Sequence, residues 1–389
     1  MTIRVVGQHD QKTIAQLLRC IEAGGARGVL CADGHVGYAQ PVGGVVAFEG
    51  AISPSGVGFD IACGNLAIRT DLKRCDVNAV NAAARIHREI SFGVGRKNEE
   101  RVEHELFERD PAWAIPEVAA LKDLAASQLG TVGSGNHYVD VFVDEDDVVL
   151  VGVHFGSRGF GHRIATHYLK AAGGKDGIDV PPAILSERSD LGEQYILAMA
   201  LAGRYAYAGR EYVARKVVRE ILKGECLEEV HNHHNFAWRE HHFGKDYWVV
   251  RKGATPAFPG QRGFVGGSMG DISVIIRGVE SDESKENLYS TVHGAGRVMS
   301  RTQAAGKAIW KGGKKVCVSE GRVNFKRVER ELEGKGVELR GGGADEAPEV
   351  YRSLRTVLDA HGGTIAVERV LTPIVVVMAG EDEFDPYKD

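Results

Sequence analysis

The chain has 389 residues, with 48 Lys and Arg against 53 Asp and Glu, a formal charge of −5, and 43% hydrophobic and 26% charged residues. This mixture excludes disorder and low complexity, and 50 glycines without a G-X-Y period exclude collagen. The longest apolar run near the C-terminus, Ile374–Ala379, falls far short of the roughly 20 residues that cross a bilayer. The first residues lack an apolar signal core, so a soluble, cytoplasmic protein is expected. In chain order, the spacing of Ile14, Leu17, Leu18 and Ile21 predicts a helix over Thr13–Ala23. Val148–Val153 reads as a buried strand feeding a glycine-rich turn. Ser189–Lys223 reads as a long amphipathic helix capped by Ser189 or Asp190, with Ile196, Met199, Tyr207, Val213, Val217 and Ile221 on its core side. Its arginines are expected to face outwards or towards a ligand. Trp248–Arg251, Ile272–Ile276 and Ile374–Met378 read as strands. Helices and strands do not alternate regularly, so an α+β fold in one large mixed domain is expected. It would span residues 1–380, followed by an acidic tail, 381–389.

That tail, EDEFDPYKD, holds five acids and one lysine; without it 47 basic residues face 48 acidic ones. Basic residues cluster elsewhere. Arg204–Lys223 carries six against Glu211 and Glu220, and Arg301–Arg327 carries eight against Glu320. Either stretch could follow a phosphate backbone, although a charge run is more often merely a solvated face. Six scattered cysteines without a CxxC pair do not form a disulfide framework. Glycine makes up about 13% of the chain against a usual share of about 7%. The glycines crowd beside His, Cys, Ser and Arg, in GTVGSGNH, HFGSRGFGH, GQRGFVGGSMG and HGAGR. Loops shaped around an anion or a metal have this composition; a loop-rich protein with many tight turns has it too.

Of 15 histidines, His87, His104, His167 and His361 sit in helical, polar contexts that need no special role. His137, His154, His234 and His293 stand in glycine-flanked polar settings. Asp60 and Cys63 lie three residues apart, where one turn can aim both side chains the same way. Carboxylate, thiolate and imidazole suit a borderline divalent ion such as Mn²⁺, Zn²⁺ or Fe²⁺ and not Mg²⁺ or Ca²⁺. The spacings match no zinc finger and no HExxH helix. Asp60, Cys63, His137, His154 and His234 exceed one tetrahedral site, and a binuclear site bridged by the Cys63 thiolate would use them all. Spacing alone leaves this open. Asp33, in ADGHVGYAQPVGG, either orients an imidazole through Nδ1 or closes an Asx-turn.

Taken together, DGHVGYAQPVGG (33–44), SPSGVGFDIACG (53–64), GSGNHYVD (133–140), HFGSRGFGH (154–162), HHN (233–235), RKGATPA (251–257), GSMGD (267–271) and HGAGRVMSR (293–301) resemble the RtcB family of RNA-splicing ligases, in the family's order, with DEAPEVY (345–351) matching further on. The resemblance implies an enzyme that uses GTP and two Mn²⁺ ions. It would join RNA 2′,3′-cyclic phosphate or 3′-phosphate ends to 5′-hydroxyl ends, in tRNA splicing or RNA repair. It makes His293 the nucleophile that takes GMP from GTP, with Asp33 fixing its tautomer. Asp60, Cys63, His137, His154 and His234 become the ligands of the two ions. Asn136, Gly294, Ala295 and Gly296 would line the phosphates, and Arg297 would stabilise phosphate charge. Tyr138 would stack on guanine and Ser268 touch it, with Asp140 and Asn235 in the same nucleotide-contacting set.

Three positions depart from the family pattern. Asp140 stands where Glu is usual, Ala379 where a lysine contacts guanine, and Ala32 where proline precedes the Asp33 motif. The first two weaken guanine recognition, since a lost charge-assisted bond is worth roughly 1.5–3 kcal/mol. They motivate an alternative, a 3′-phosphate guanylyltransferase or ligase with relaxed nucleotide choice. A second alternative is a non-catalytic protein that binds RNA ends, against which the retained His293 and ligand set argue. No protein partner or oligomeric state is legible.

Overall fold

The computed structural model describes residues 2–311 and 314–380, with the side chains of 308–317 outside that description. The acidic tail, 381–389, lies outside the described residues, as do Lys311, Lys314 and Lys315 of the second basic stretch in their side chains. Secondary structure follows local chemistry. The first helix, Gln11–Glu22, starts at Asp10, whose carboxylate accepts from Thr13 N, and buries Thr13, Gln16, Leu17, Cys20 and Ile21 at helical spacing. The long helix runs Asp190–Lys216 with Ser189 as its cap, then opens into a π-helical turn, Val217–Leu222. It stops at Lys223, whose φ of 66° is left-handed.

The protein is a single mixed α/β domain built on two sheets. The smaller runs Thr2–Val5, Arg27–His35, Val42–Phe48, Lys245–Lys252, Asn235–His242, parallel in its first pair and antiparallel in the rest. The larger runs Arg262–Val265, Ser273–Gly278, Ile365–Gly380, Tyr138–Val143, Val148–Phe155, Gly64–Lys73, Cys226–His233, with Glu338–Gly342 added alongside Ile365–Gly380. Val148–Phe155 is buried at every position, because both faces of the sheet are covered and the strand reads as a continuous apolar run. On one face Ile86, Val213 and Val217 pack over Leu66, Val139, Val151 and Val375. The smaller sheet contributes Leu30, Phe48 and Val250 to a second core with Leu17, Phe160, Tyr195 and Tyr205. Each such apolar side chain contributes about 1.5–3 kcal/mol by leaving water. Cys20, Cys31, Cys63, Cys75 and Cys226 are free thiols, and among the described residues no helix is long and apolar enough to cross a membrane.

The two sheets meet where one strand hands over to the next. Cys226–His233 ends in the larger sheet, and after the single residue His234 the chain enters the smaller sheet as Asn235–His242. At the same seam Cys63 precedes Gly64–Lys73, His137 precedes Tyr138–Val143, and His154 closes Val148–Phe155. The register sets Tyr138 opposite His154, His154 opposite Asn65, and Asn65 opposite Asn232. Residues directly opposite one another share a sheet face, so this row forms a floor. Asn65 and Asn232 fasten it by bonding the backbone of Phe264.

Gly64 is required here by close approach: a Cβ on it would lie 2.1 Å from the carbonyl oxygen of Asn232. Gly64→Ala must therefore push Gly64–Lys73 away from Cys226–His233. The expected cost is about 1–3 kcal/mol, read as a lower urea midpoint; an unchanged midpoint would show that the strand pair yields freely.

Candidate active site

A cavity of about 290 Å³ opens at the seam, lined among others by Asp60, Cys63, His137, His154, His234, Lys252 and His293. The turn at Asp60–Cys63 is closed by Cys63 N donating to Asp60 O (3.1 Å), and Ala62 within it holds a left-handed φ of 58°. Cys63 Sγ lies 3.3 Å from His154 Nε2 and 3.6 Å from His137 Nε2. His137 Nε2 is 3.1 Å from Asp60 Oδ2, and His154 Nε2 is 3.4 Å from His234 Nε2. The ligand atoms fall into two groups, Asp60–Cys63–His137 and Cys63–His154–His234, each with its atoms within 4.8 Å of one another. Cys63 belongs to both.

The arrangement fits a divalent cation at each group. His154 Nδ1 faces the carbonyl of Asn136 at 3.0 Å, so Nδ1 carries the proton and Nε2 turns its lone pair towards Cys63 and His234. Burial, and then the neighbouring imidazoles, push His154 and His234 well below the usual histidine range, which keeps them neutral and able to ligate. Burial would raise Asp60, but hydrogen bonds from His137 and Cys63 bring it down to about 2. Burial and the Asp60 carboxylate push the Cys63 thiol well up, a bias that a bound cation reverses. Lone pairs crowded together with few protons to share, on sulfur, imidazole and carboxylate, form a donor set for a borderline metal.

Beside these groups stands His293, just after the short strand Ser290–Val292. Its ring lies 5.0 Å from that of His234, centroid to centroid. Asp33, fully buried on Arg27–His35, places Oδ2 2.6 Å from His293 Nδ1. The same oxygen accepts from His293 N (2.9 Å) and Gly294 N (3.3 Å). Burial would raise the Asp33 carboxyl, but the His293 ring and backbone hold it below its ordinary value, so it is an acceptor. His293 therefore carries its proton on Nδ1, leaving the Nε2 lone pair for the pocket. Gly296 turns the loop with φ 75°, and a Cβ there would meet Asp33 O at 2.2 Å.

The remaining expected residues are placed less uniformly. Asn136, Tyr138, Asp140, Asn235, Ser268, Gly294, Ala295, Gly296 and Arg297 all line the cavity. The Asn235 side chain, however, donates to Asp60 O and accepts from Gly253 N, which ties two loops together. Gly294 N is turned to Asp33. Arg297 is paired with Glu346 (3.2 Å), the carbonyl of Asp345 and the Tyr351 hydroxyl, and it shares that one carboxylate with Arg301 (3.4 Å). Tyr138 is buried with its ring tilted on His154. Asp140 is buried, its carboxyl pushed well up by burial, and accepts from Val377 N at 3.4 Å. The histidines set aside by sequence divide: His87 and His167 are helical, but His104 caps a short turn by accepting from Leu106 N, and His361 is buried and accepts from Ala32 N.

Two residues escaped the sequence reading. Lys252, in RKGATPA, is buried in the cavity wall with Nζ on Tyr38 O (2.5 Å), and burial takes it down to about 8. Arg210, on the long helix, corrects the expectation that its arginines face outwards or towards a ligand: it is fully buried beneath the metal-type groups. Nothing in a helical basic residue's spacing distinguishes the two fates.

Fold and site define a mixed α/β protein in which a carboxylate-held histidine shares one pocket with two metal-type clusters joined by one cysteine sulfur. The family model described as tRNA-splicing ligase RtcB matches residues 16–124 and 117–379. RNA-splicing ligase RtcB of Escherichia coli (strain K12) is 32% identical over 378 residues, covering 89% of this chain and 88% of that protein. The tRNA-splicing ligases RtcB of Thermococcus kodakarensis and Archaeoglobus fulgidus are 32% and 33% identical, covering 87% and 84% of this chain and 84% and 82% of theirs. This chain belongs to the RtcB family.

Proposed function

We propose that the protein is a GTP- and Mn²⁺-dependent RNA ligase that joins 2′,3′-cyclic phosphate or 3′-phosphate ends to 5′-hydroxyl ends, in tRNA splicing or RNA repair. The observation that carries this reading is Asp33 Oδ2 on His293 Nδ1 at 2.6 Å, with the ring facing the pocket of the two clusters. Asp33 holds the proton at Nδ1, and Nε2 of His293 attacks the α-phosphorus of GTP. A P–N bond forms and the bond to the β-phosphate oxygen breaks, releasing pyrophosphate. An oxygen of the RNA 3′-phosphate then attacks the same phosphorus, the P–N bond breaks, and the RNA ends in a 3′-diphosphate linked to guanosine. Attack by the 5′-hydroxyl oxygen at the RNA 3′-phosphorus expels GMP and makes the phosphodiester. A cyclic phosphate is first hydrolysed to the 3′-phosphate. Asp60, Cys63, His137, His154 and His234 would hold two divalent ions, whose chemistry is Lewis-acid stabilisation of phosphoryl charge. Lys252, a buried ammonium in the wall, supplies a fixed positive charge for phosphate oxygens.

A second reading is favoured by one observation. The Asp140 carboxyl is taken up by Val377 N, and Ala379 offers no polar group, which supports relaxed nucleotide choice within the same chemistry. Incubation with Mn²⁺ and α-labelled GTP or ATP is expected to give an acid-labile protein adduct with GTP that is lost in His293→Ala. No adduct with either nucleotide sinks the enzyme reading. An adduct formed equally with ATP gives the relaxed variant, and adduct without sealing of a cyclic-phosphate RNA gives a guanylyltransferase.

A further inference from the structure

We propose that Arg210 is a positioning residue for the metal pocket: its single guanidinium fixes the mutual placement of the three chain segments that carry Cys63, His154 and His234. The inference rests on the reading of those residues as metal ligands. Arg210 Nη1 donates to the carbonyl oxygens of Ala62 (2.9 Å) and Phe155 (2.5 Å). Ala62 immediately precedes Cys63, and Phe155 immediately follows His154. Nη2 lies 3.1 Å from His233 Nδ1, the residue before His234, and Nε donates to His231 Nε2 at 2.8 Å. Arg210 thus reaches all three segments from a fourth, the long helix.

The chemistry of the contacts makes the clamp directional. A guanidinium only donates, so His231 Nε2 and His233 Nδ1 must both be lone-pair nitrogens. The Ala62 carbonyl belongs to a residue at φ 58°, a left-handed conformation that a non-glycine residue keeps only when its surroundings hold it. Among the described residues no carboxylate pairs with Arg210. A fully buried cation whose hydrogen-bond partners are all neutral is costly, with the Asp60 and Glu211 carboxylates acting on it only from beyond contact, and a hydrophobic helix position would avoid the cost. Simple Coulomb repulsion says that this charge should weaken binding of a dication nearby. Geometry outweighs it. A lysine cannot substitute, because one ammonium lacks the planar fork that reaches two carbonyls and two rings at once.

Mn²⁺ alone is the probe. Wild type, Arg210→Lys, Arg210→Gln and His231→Leu are titrated with Mn²⁺, free ion being read by electron paramagnetic resonance, well below the thermal midpoint of each metal-free protein. Wild type is expected to bind two ions. Both Arg210 variants are expected to bind about 10–100-fold more weakly, the usual effect of losing a group that orients ligands, and His231→Leu more weakly to a smaller degree. Wild-type affinity in Arg210→Lys overturns the proposal, as does tighter binding in Arg210→Gln, which would show that repulsion dominates. If neither Arg210 variant folds, His231→Leu decides, and unchanged affinity there overturns it. Failure of wild type to bind Mn²⁺ sinks the metal-site reading itself and is thereby distinguished from failure of the clamp.

Discussion

Asp33→Asn is expected to slow formation of the nucleotide adduct on His293 by about 10³–10⁴-fold, the scale seen when a carboxylate that holds a catalytic imidazole is made an amide. The effect runs through one contact. With a carboxylate at Oδ2, 2.6 Å from Nδ1, His293 must donate there, and Nε2 keeps its lone pair. In the amide the oxygen stays at the Oδ2 place, where two backbone N–H groups hold it. It accepts from Nδ1 without a charge, so Nε2 is a poorer nucleophile and the positive charge that grows on the ring during attack is unmatched. The backbone can remain in place, because the amide oxygen can still accept from His293 N and Gly294 N. GTP binding should therefore change little while the chemical step collapses, a split that single-turnover labelling and equilibrium GTP titration read separately. Adduct formation at the wild-type rate in Asp33→Asn would remove Asp33 from the mechanism. Asp33→Ala leaves two backbone donors buried without a partner and is expected also to destabilise the fold by about 1–3 kcal/mol, so the amide is the more informative change.

The sequence supported some of this arrangement and not the rest, for physical reasons visible in particular residues. Val148–Val153 was readable because burial on both faces makes the strand continuously apolar, and the helix Gln11–Glu22 because a cap and an apolar stripe coincide. Ile374–Met378 was recognised only as the core of a much longer strand, Ile365–Gly380. Its first half carries exposed Ala366 and Val367 beside Glu368 and Arg369 and reads as polar, since solvent and salt bridges to Arg262 and Arg277 cover it. Motif spacing grouped Asp60 with Cys63 but could not bring His137, His154 and His234 to them. That convergence depends on which strands lie side by side and on the single-residue passage through His234 from one sheet to the other. Arg210 and Arg297 show the limit of charge patterns. Arg210 is expected outside or against a ligand and is buried under the pocket, while Arg297, expected on phosphate, shares with Arg301 a carboxylate 49 positions away, Glu346.

Cys63 is the only side chain common to both ligand groups, so replacing it tests whether the two form one binuclear unit. Cys63→Ser keeps the volume and removes the soft, readily ionised donor. If sulfur bridges two ions, its loss weakens both together: Mn²⁺ stoichiometry falls from two towards zero at concentrations that saturate wild type. Adduct formation on His293 is then expected to fall by about 10³-fold or more, since metal stabilisation of phosphoryl charge is worth several kcal/mol. His137→Ala and His234→Ala each touch a single group, and each should leave one ion bound more tightly than the other. Cys75→Ser serves as the control, because Cys75 is exposed beyond the far end of Gly64–Lys73 and should alter neither binding nor adduct. Two Mn²⁺ ions bound with wild-type affinity by Cys63→Ser would separate the clusters and leave the thiol a packing residue. The graded pattern, both ions lost through Cys63 but one through either histidine, is the signature that independent sites cannot produce.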